Sequence, residues 1–386
     1  MADASTRTAA WLLAVIAFLI VYGSLYPFRF AAVADSGAFE LLKGLPFART
    51  TRSDIAANVL LYLPLGASIA WLLAARLGGM LAVIAATVAG ALLALAIEWL
   101  QLYETRRVAS LADVTYNTIG TAAGAFVALA IASTHRGLRA SALADVLRHP
   151  VAAALFLSWI GYRLAPFAPV LDPGKWAAAF APLSVGGWWT PGAILPHAIA
   201  WLVLVLACER LAAGRARTTA AVAMAVVLAG RILFAGLALE PAELAGMALA
   251  LALAGLLLRM PIERAASILA AALVVLIAIQ GLSPFDFQLA QDRFALVPFG
   301  ESLTRYRATN LTDVFLRCYG AGALVWLLAR SGLPVIPGTA LGAGIIFSIE
   351  LLQTWLPGQT ADITDPLLAI AAGGLIAVFE RDGGYR

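Results

Sequence analysis

Long apolar segments recur from one end of this sequence to the other, and they limit what the chain can fold into. About twelve can be distinguished, at 8–26, 55–75, 80–102, 112–132, 150–166, 194–212, 218–239, 241–258, 264–283, 313–329, 334–355 and 364–380. A helix of about 20 apolar residues covers a hydrocarbon core of roughly 30 Å, where the backbone must satisfy its own hydrogen bonds. The composition of the chain, 62% hydrophobic and 12% charged, also indicates a membrane protein. The sequence predicts an all-α, polytopic transmembrane helical bundle of about twelve helices in a lipid bilayer.

No metal and no cofactor are predicted. Cys208 and Cys318 lie within apolar segments, where they indicate packing rather than a disulfide or a metal site. Metal-ligand spacings of His, Cys and Asp do not occur, and no glycine-rich phosphate loop follows a strand pattern. Arg7 ahead of the first apolar segment resembles the start of a signal peptide. No small-residue cleavage site follows it, so we predict a retained helix.

The net charge of +4 does not indicate a nucleic-acid partner, because the basic residues stand singly or in pairs at the ends of apolar segments. Their distribution bears on orientation instead. With the N-terminus inside, the short inner loops hold the larger share of the arginines that lie outside the motifs described below. The positive-inside rule therefore predicts that both termini are cytoplasmic.

A proline–aromatic step closes three of the apolar segments, which indicates an internal repeat. The three steps are YPFRF at 26–30, APF at 165–167 and SPFDF at 283–287, and each is followed by a second proline step, at Pro46-Phe47, Pro182-Leu183 and Pro298-Phe299. Proline stops a helix, and an aromatic residue anchors its end at the membrane interface. We predict three four-helix units, at 1–133, 150–258 and 264–380, with a basic connector at 133–149.

Polar residues gather at helix ends in the first unit. The predicted binding residues are Asp54, Asn58, Glu98, Gln101, Arg106, Arg107, Asp113 and Asn117. Spacings of three or four residues place Glu98 with Gln101, and Asp113 with Asn117, on single helix faces. Gly120 continues the second face in a GxxxG pattern that permits close helix approach. Ionisable groups in membrane segments are costly, so this cluster predicts a functional site, with the arginine pair as countercharge.

The last unit repeats part of this pattern and the middle unit repeats less of it. The predicted second site consists of Glu350, Gln353, Asp362 and Asp365, with Gln359 in place of Arg107 and Ala369 in place of Asn117. In the middle unit, Arg231 falls near the acidic position and the remaining residues are largely lost. The pattern predicts a degenerate middle copy.

Structural roles are alternatives for several of these residues. Asp54 and Asp113 stand at helix starts, where capping and the helix dipole favour an acid. Asn58 and Asn117 could hydrogen-bond between helices. Glu98 is harder to explain in this way, because the dipole opposes an acid near a helix C-terminus. His197 is interpreted as a packed residue.

Taken together, the motifs resemble those of the VanZ-like family of bacterial membrane proteins. The resemblance rests on Asp54-x3-Asn58-x5-Pro64-x-Gly66, then Glu98-x2-Gln101, Arg107 and Asp113-x3-Asn117-x2-Gly120-x3-Gly124. It covers about 10–132 and, more weakly, 264–380. The family takes its name from an accessory protein associated with teicoplanin resistance. The resemblance implies a multi-pass protein of the bacterial inner membrane with a role at the cell envelope, and it implies no particular reaction.

These observations leave several functions open. The preferred hypothesis is a protein that binds an anionic lipid or a lipid-linked envelope precursor at an outward-facing polar cleft. A transporter is an alternative, since many spans and internal repeats are usual there. A membrane-embedded transferase or hydrolase with Glu98 or Asp113 as general base is another, and a structural scaffold is the fourth. The sequence predicts no catalytic residue set and no oligomeric state.

Overall fold

The computed structural model describes most of the chain. The described residues are 2–26, 28–31, 45–47, 52–105, 108–133, 149–186, 189–288, 293–299 and 309–379. Three sequence-based expectations fall outside these ranges: Pro27 of the first proline step, the arginine pair Arg106 and Arg107, and nearly all of the connector 133–149.

The described residues are helical throughout their regular structure. The helices are α1 (Ala2–Leu25), α2 (Arg52–Leu77), α3 (Gly79–Gln101), α4 (Leu111–Ser133), α5 (Pro150–Leu164), α6 (Pro173–Ala178), α7 (Pro191–Leu211), α8 (Ala216–Leu233), α9 (Pro241–Leu257), α10 (Ile262–Leu282), α11 (Thr309–Arg330), α12 (Val335–Gln353) and α13 (Thr364–Phe379). Within the described ranges, extended pairing is limited to isolated bridges. The predicted all-α class is therefore confirmed.

Each predicted apolar segment coincides with one long helix. In the part of the chain that the structure describes, seven helices are long and apolar enough to cross a membrane. Proline occupies the first position of α5, α7 and α9, where its missing N–H costs no hydrogen bond and its fixed φ suits the helix. The protein is a multi-pass integral membrane protein, and the number of spans, about twelve, stays a prediction.

The chain divides into two compact units. The N-terminal unit comprises Met1–Ser141 with Pro166–Ala168, and the C-terminal unit comprises Ala142–Ala165 with Pro169–Arg386. The C-terminal unit thus contains α5 to α13, which cover both the predicted middle and last four-helix units. The division into three repeats stays a prediction.

Glycine brings α2 and α4 into close contact within the N-terminal unit. A Cβ at Gly120 would collide with the backbone of Val59, and one at Gly124 would collide with the backbone of Leu63. Only glycine fits at these two points, so the predicted close approach is confirmed. The contact fixes the face of α4 that begins at Asp113 against the face of α2 that carries Asn58.

Aromatic residues join the two halves of the C-terminal unit. The Trp159 ring on α5 lies 4.8 Å from the ring of Tyr319 on α11 and 6.0 Å from the ring of Trp201 on α7. The Tyr319 hydroxyl donates a hydrogen bond of 2.8 Å to the carbonyl of Ala200. These side chains are buried, and rings of this size supply much of a core's packing energy.

A left-handed phenylalanine follows the first helix of each predicted repeat. Phe28, Phe167 and Phe285 have φ of 59°, 58° and 66°, a region that residues other than glycine rarely adopt. Three residues later in each case, a backbone N–H donates to a carbonyl at or just beyond the end of the third helix of the repeat. These bonds are Ala31 to Tyr103, Val170 to Leu233 and Gln288 to Trp355, each 2.8 Å long. Because the three bonds are equivalent, the residues of the three predicted repeats can be aligned by counting from these bonded positions.

Candidate functional site

The predicted polar residues of the N-terminal unit come together at the ends of α2, α3 and α4. The Asn58 amide donates a hydrogen bond of 2.8 Å to the Asp113 carboxylate. The Glu98 carboxylate accepts one of 2.7 Å from the backbone N–H of Ser110. This bond explains how an acid is held near the C-terminal end of α3: it satisfies an N–H at the entry of α4, where a helix start favours negative charge.

Gln101 has a different task from its neighbours. Its side-chain amide donates a hydrogen bond of 2.8 Å to the carbonyl of Ser24, near the end of α1. That carbonyl has no partner further along the helix, so the glutamine satisfies it from a neighbouring element. Gln101 therefore joins α3 to α1, and its amide is engaged in the framework of the unit.

Two buried polar atoms beside the Asn58–Asp113 pair have no protein partner. The Tyr62 side chain is 1% exposed and that of Asn117 is 7% exposed. Among the residues that the structure describes, neither the Tyr62 hydroxyl nor the Asn117 carbonyl oxygen has a hydrogen-bond partner. Tyr62 follows Asn58 by one turn of α2, Asn117 follows Asp113 by one turn of α4, and the two faces meet. We call Asn58, Tyr62, Glu98, Asp113 and Asn117 the N-terminal site.

The remaining predicted residues of this region differ in their placement. Asp54 is exposed at the start of α2 and interacts electrostatically with Asp113. Glu104, which sequence reasoning did not single out, is buried and accepts a hydrogen bond of 3.2 Å from the backbone N–H of Arg29. Its bridge with Phe30 helps tie the end of α3 to the turn after α1.

The predicted second site repeats the framework of the first. The Glu350 carboxylate accepts a hydrogen bond of 2.9 Å from the backbone N–H of Asp362. The Gln353 amide donates one of 3.0 Å to the carbonyl of Gly281. Glu350 and Gln353 thus take the places of Glu98 and Gln101, as their spacing in the sequence predicts.

An arginine missed by sequence reasoning occupies the centre of this second site. Arg317 on α11 lies 3.1 Å from Asp365, 3.2 Å from Asp362 and 3.2 Å from Asp313. Asp313 and Arg317 have the same spacing as Asp54 and Asn58, which is the signal that could have found them. We call Asp313, Arg317, Glu350, Asp362 and Asp365 the last cluster.

The middle segment carries a third charged group. Glu243 on α9 is 0% exposed, and it lies 2.6 Å from Arg163 of α5 and 2.9 Å from Arg231 of α8. Glu240 lies 3.2 Å from Arg163 and 3.0 Å from Arg231. His197, predicted to be a packed residue, has its ring nitrogen 3.9 Å from Glu240. We call Arg163, Arg231, Glu240 and Glu243 the middle cluster.

This arrangement corrects the predicted position of Arg231. The backbone register places it at the position of Gln101 rather than near the acidic position, because Arg231 precedes Leu233 by the same interval as Gln101 precedes Tyr103. The description of the middle segment as a degenerate copy stays a prediction. The overlooked signal is a pair of polar residues with one spacing, found at Ser110 and Asp113, Glu240 and Glu243, and Asp362 and Asp365.

Lys175 covers the end of α8 beside the middle cluster. Its ammonium donates hydrogen bonds of 2.7 Å to the carbonyls of Arg231 and Ile232 and one of 2.9 Å to that of Leu237. A cation at a helix C-terminus is favoured by the dipole and satisfies carbonyls that lack intrahelical partners. Burial lowers the pKa of Lys175 from its usual value.

No cluster of His, Cys, Asp and Glu side chains among the described residues could hold a metal ion. Cys208 and Cys318 are free thiols. The carboxylates are engaged by amides, backbone N–H groups and arginines instead.

Comparison with known proteins agrees with the motifs of the N-terminal unit. Residues 9–132 match the model of the VanZ/LLP1 family. No curated protein and no solved structure matches the chain. The match contains α2, α3 and α4 with the whole N-terminal site. Residues 9–132 are therefore a segment similar to the VanZ/LLP1 family, and the chain as a whole is a multi-pass membrane protein.

Proposed function

We propose that this VanZ-like protein binds the phosphate-bearing headgroup of an anionic lipid, or of a lipid-linked envelope precursor, at the N-terminal site. One observation carries the proposal. The half-buried Asn58–Asp113 pair adjoins two buried polar atoms, on Tyr62 and Asn117, that have no protein partner. Buried polar groups normally have hydrogen-bond partners. The two atoms without one therefore favour a ligand that forms hydrogen bonds with them.

The location of the site suits a lipid headgroup. Asn58, Glu98 and Asp113 lie near the ends of apolar helices, where headgroups meet the hydrocarbon core, and Tyr62 lies deeper, near the middle of α2. Many apolar side chains nearby are exposed, including Leu61, Trp99 and Ile119. An exposed apolar surface beside a polar site can accept the acyl chains while the polar groups bind the head.

The arginine pair of the connector is proposed to bind the phosphate. Arg106 and Arg107 stand between α3 and α4 in the sequence, between Glu98 and Asp113. A guanidinium forms two parallel hydrogen bonds with a phosphate and keeps its charge at every physiological pH. The orientation predicted from the loop arginines puts this end of the helices outside the cytoplasm, where envelope precursors are assembled.

The test is lipid binding by the double variant Arg106→Ala/Arg107→Ala. Native mass spectrometry of the full chain in detergent, titrated with dioleoyl-phosphatidylglycerol, reports binding directly. We expect a loss of about tenfold or more in affinity, because each charge-assisted hydrogen bond contributes roughly 1.5–3 kcal/mol. Arg215→Ala/Arg217→Ala is the matched control, since it removes the same charge from two exposed arginines at the start of α8. Equal binding by the two double variants would contradict the proposal.

A further inference from the structure

One acid occupies the same place in each of the three segments, and its partners differ. Asp113, Glu243 and Asp365 each stand in the first turn of the fourth helix of a predicted repeat. In two of the three cases an arginine of the chain faces it. Glu243 lies 2.6 Å from Arg163, and Asp365 lies 3.1 Å from Arg317.

Among the described residues no such cation faces Asp113. Its hydrogen-bond partner there is the neutral amide of Asn58, and another acid, Asp54, acts on it electrostatically. A carboxylate in a membrane protein needs an opposite charge to compensate its desolvation, which an amide alone does not supply. The positive charge that an arginine supplies to the acid in the other two segments is therefore left to something else.

The unmet hydrogen-bond capacity at this place consists mainly of acceptors. The carbonyl oxygen of Asn117 is buried without a donor, and the Asn58 amide engages one oxygen of Asp113. The Tyr62 hydroxyl, also without a partner, can donate or accept. A group that suits these atoms brings several N–H donors and a positive charge, and a primary ammonium has both.

We infer that the headgroup bound at the N-terminal site carries a primary ammonium, which pairs with Asp113 and donates to Asn117. The inference rests on the proposed function and narrows its ligand to a phosphate-linked amine. The ammonium lies between α2 and α4, beside Asp113 and Asn117. The ligand thus supplies the cation that Arg163 and Arg317 supply in the other segments.

The experiment compares two lipids that share a phosphate and differ in N–H donors. The full chain in detergent is titrated by native mass spectrometry with dioleoyl-phosphatidylethanolamine and with dioleoyl-phosphatidylcholine, whose quaternary ammonium cannot donate. We expect phosphatidylethanolamine to bind about tenfold more tightly, the equivalent of one charge-assisted hydrogen bond of roughly 1.5 kcal/mol. Asp113→Asn should abolish that preference, and Asn117→Leu should reduce it.

The last cluster provides the matched control. Asp365→Asn makes the same chemical change at an acid that Arg317 already neutralises, so the lipid preference should stay as in the unaltered protein. Thermal unfolding of each variant shows that it is folded. An Asp113→Asn protein that is folded and keeps the preference would overturn the inference, as would an equal loss in Asp365→Asn.

Further arms identify the source of the ammonium and separate this inference from the proposed function. If soluble phosphoethanolamine competes for the site as well as phosphatidylethanolamine does, the acyl chains are not needed for binding. If sodium chloride at constant ionic strength abolishes phosphatidylethanolamine binding completely, the cation beside Asp113 is an alkali ion, which would contradict the inference. Binding of phosphatidylglycerol that depends on Arg106 and Arg107, without any amine preference, would leave the proposed function standing and remove the inference. An amine preference that depends on Asp113 but not on the arginines would support an ammonium at Asp113 and remove the proposed binding of phosphate by Arg106 and Arg107.

Discussion

The N-terminal site and the last cluster share a framework and differ at its centre. In both, a glutamate near the end of the third helix accepts a hydrogen bond from a backbone N–H at the entry of the fourth, at 2.7 Å for Glu98 and 2.9 Å for Glu350. In both, a glutamine binds a carbonyl of the first helix. Asn58 faces the acid in one region, whereas Arg317 faces it in the other.

This difference separates positions that maintain the fold from positions that are free to change role. The shared glutamate and glutamine each satisfy a backbone group at a helix end. Replacing either one should therefore lower the stability of the fold in both regions. The residue that faces the helix-start acid is an amide in one region and a cation in another. We conclude that this position, rather than the framework, distinguishes a site prepared for a ligand from one that the chain completes by itself.

The largest effect is expected in the middle cluster, where the charges are most deeply buried. Arg163→Ala leaves the fully buried Glu243 with Arg231 alone, and removal of one partner from a buried ion pair costs roughly 3–5 kcal/mol. Denaturant unfolding in mild detergent, followed by tryptophan fluorescence, measures the change in unfolding free energy. Arg215→Ala, at an exposed residue of the same unit, should change it by less than about 0.5 kcal/mol. A similar loss for both variants would mean that Arg163 does not compensate the buried charge of Glu243.

A smaller effect should distinguish the acids Asp113 and Asp365 in the absence of lipid. Asp365→Asn removes a charge-assisted hydrogen bond from Arg317, which keeps Asp362 and Asp313, so we expect a loss of about 1.5–3 kcal/mol. Asp113→Asn removes an acid without a cationic partner in the described residues and should leave stability within about 0.5 kcal/mol or raise it. The same unfolding assay compares the two variants. A larger loss for Asp113→Asn would show that a cation of the chain already neutralises it.

The helices were predictable because their signal is local. Each apolar segment is long enough to require a helix, and proline marks several helix starts. The correspondence of Glu98 and Glu350 was predictable for the same reason, since each lies only 12 residues from the backbone N–H that donates to it, at Ser110 and Asp362. Gly120 could be interpreted from a GxxxG pattern alone.

The charged centres were not predictable because their partners are distant in the sequence. Arg163 has no acid in its own apolar segment and Arg317 has only Asp313, so they meet their other carboxylates only when separate helices pack together. Glu243 follows a proline at a helix start, where capping explains an acid well enough. The backbone bonds after Phe28, Phe167 and Phe285 supply the register that reveals the correspondence, and such bonds leave no trace in residue type.

The smallest predicted effect concerns the glutamines of the shared framework. Gln101→Leu and Gln353→Leu each remove a hydrogen bond to a carbonyl at the end of a first helix, of 2.8 Å and 3.0 Å. The leucine has a similar volume, so the expected loss in unfolding free energy is that of one neutral hydrogen bond, about 0.5–1.5 kcal/mol, in both variants. Lipid binding should be unchanged, because neither amide faces the acid of its site. If Gln101→Leu alone impaired binding, the glutamine would belong to the ligand site, and the distinction between framework and centre would not hold in the N-terminal unit.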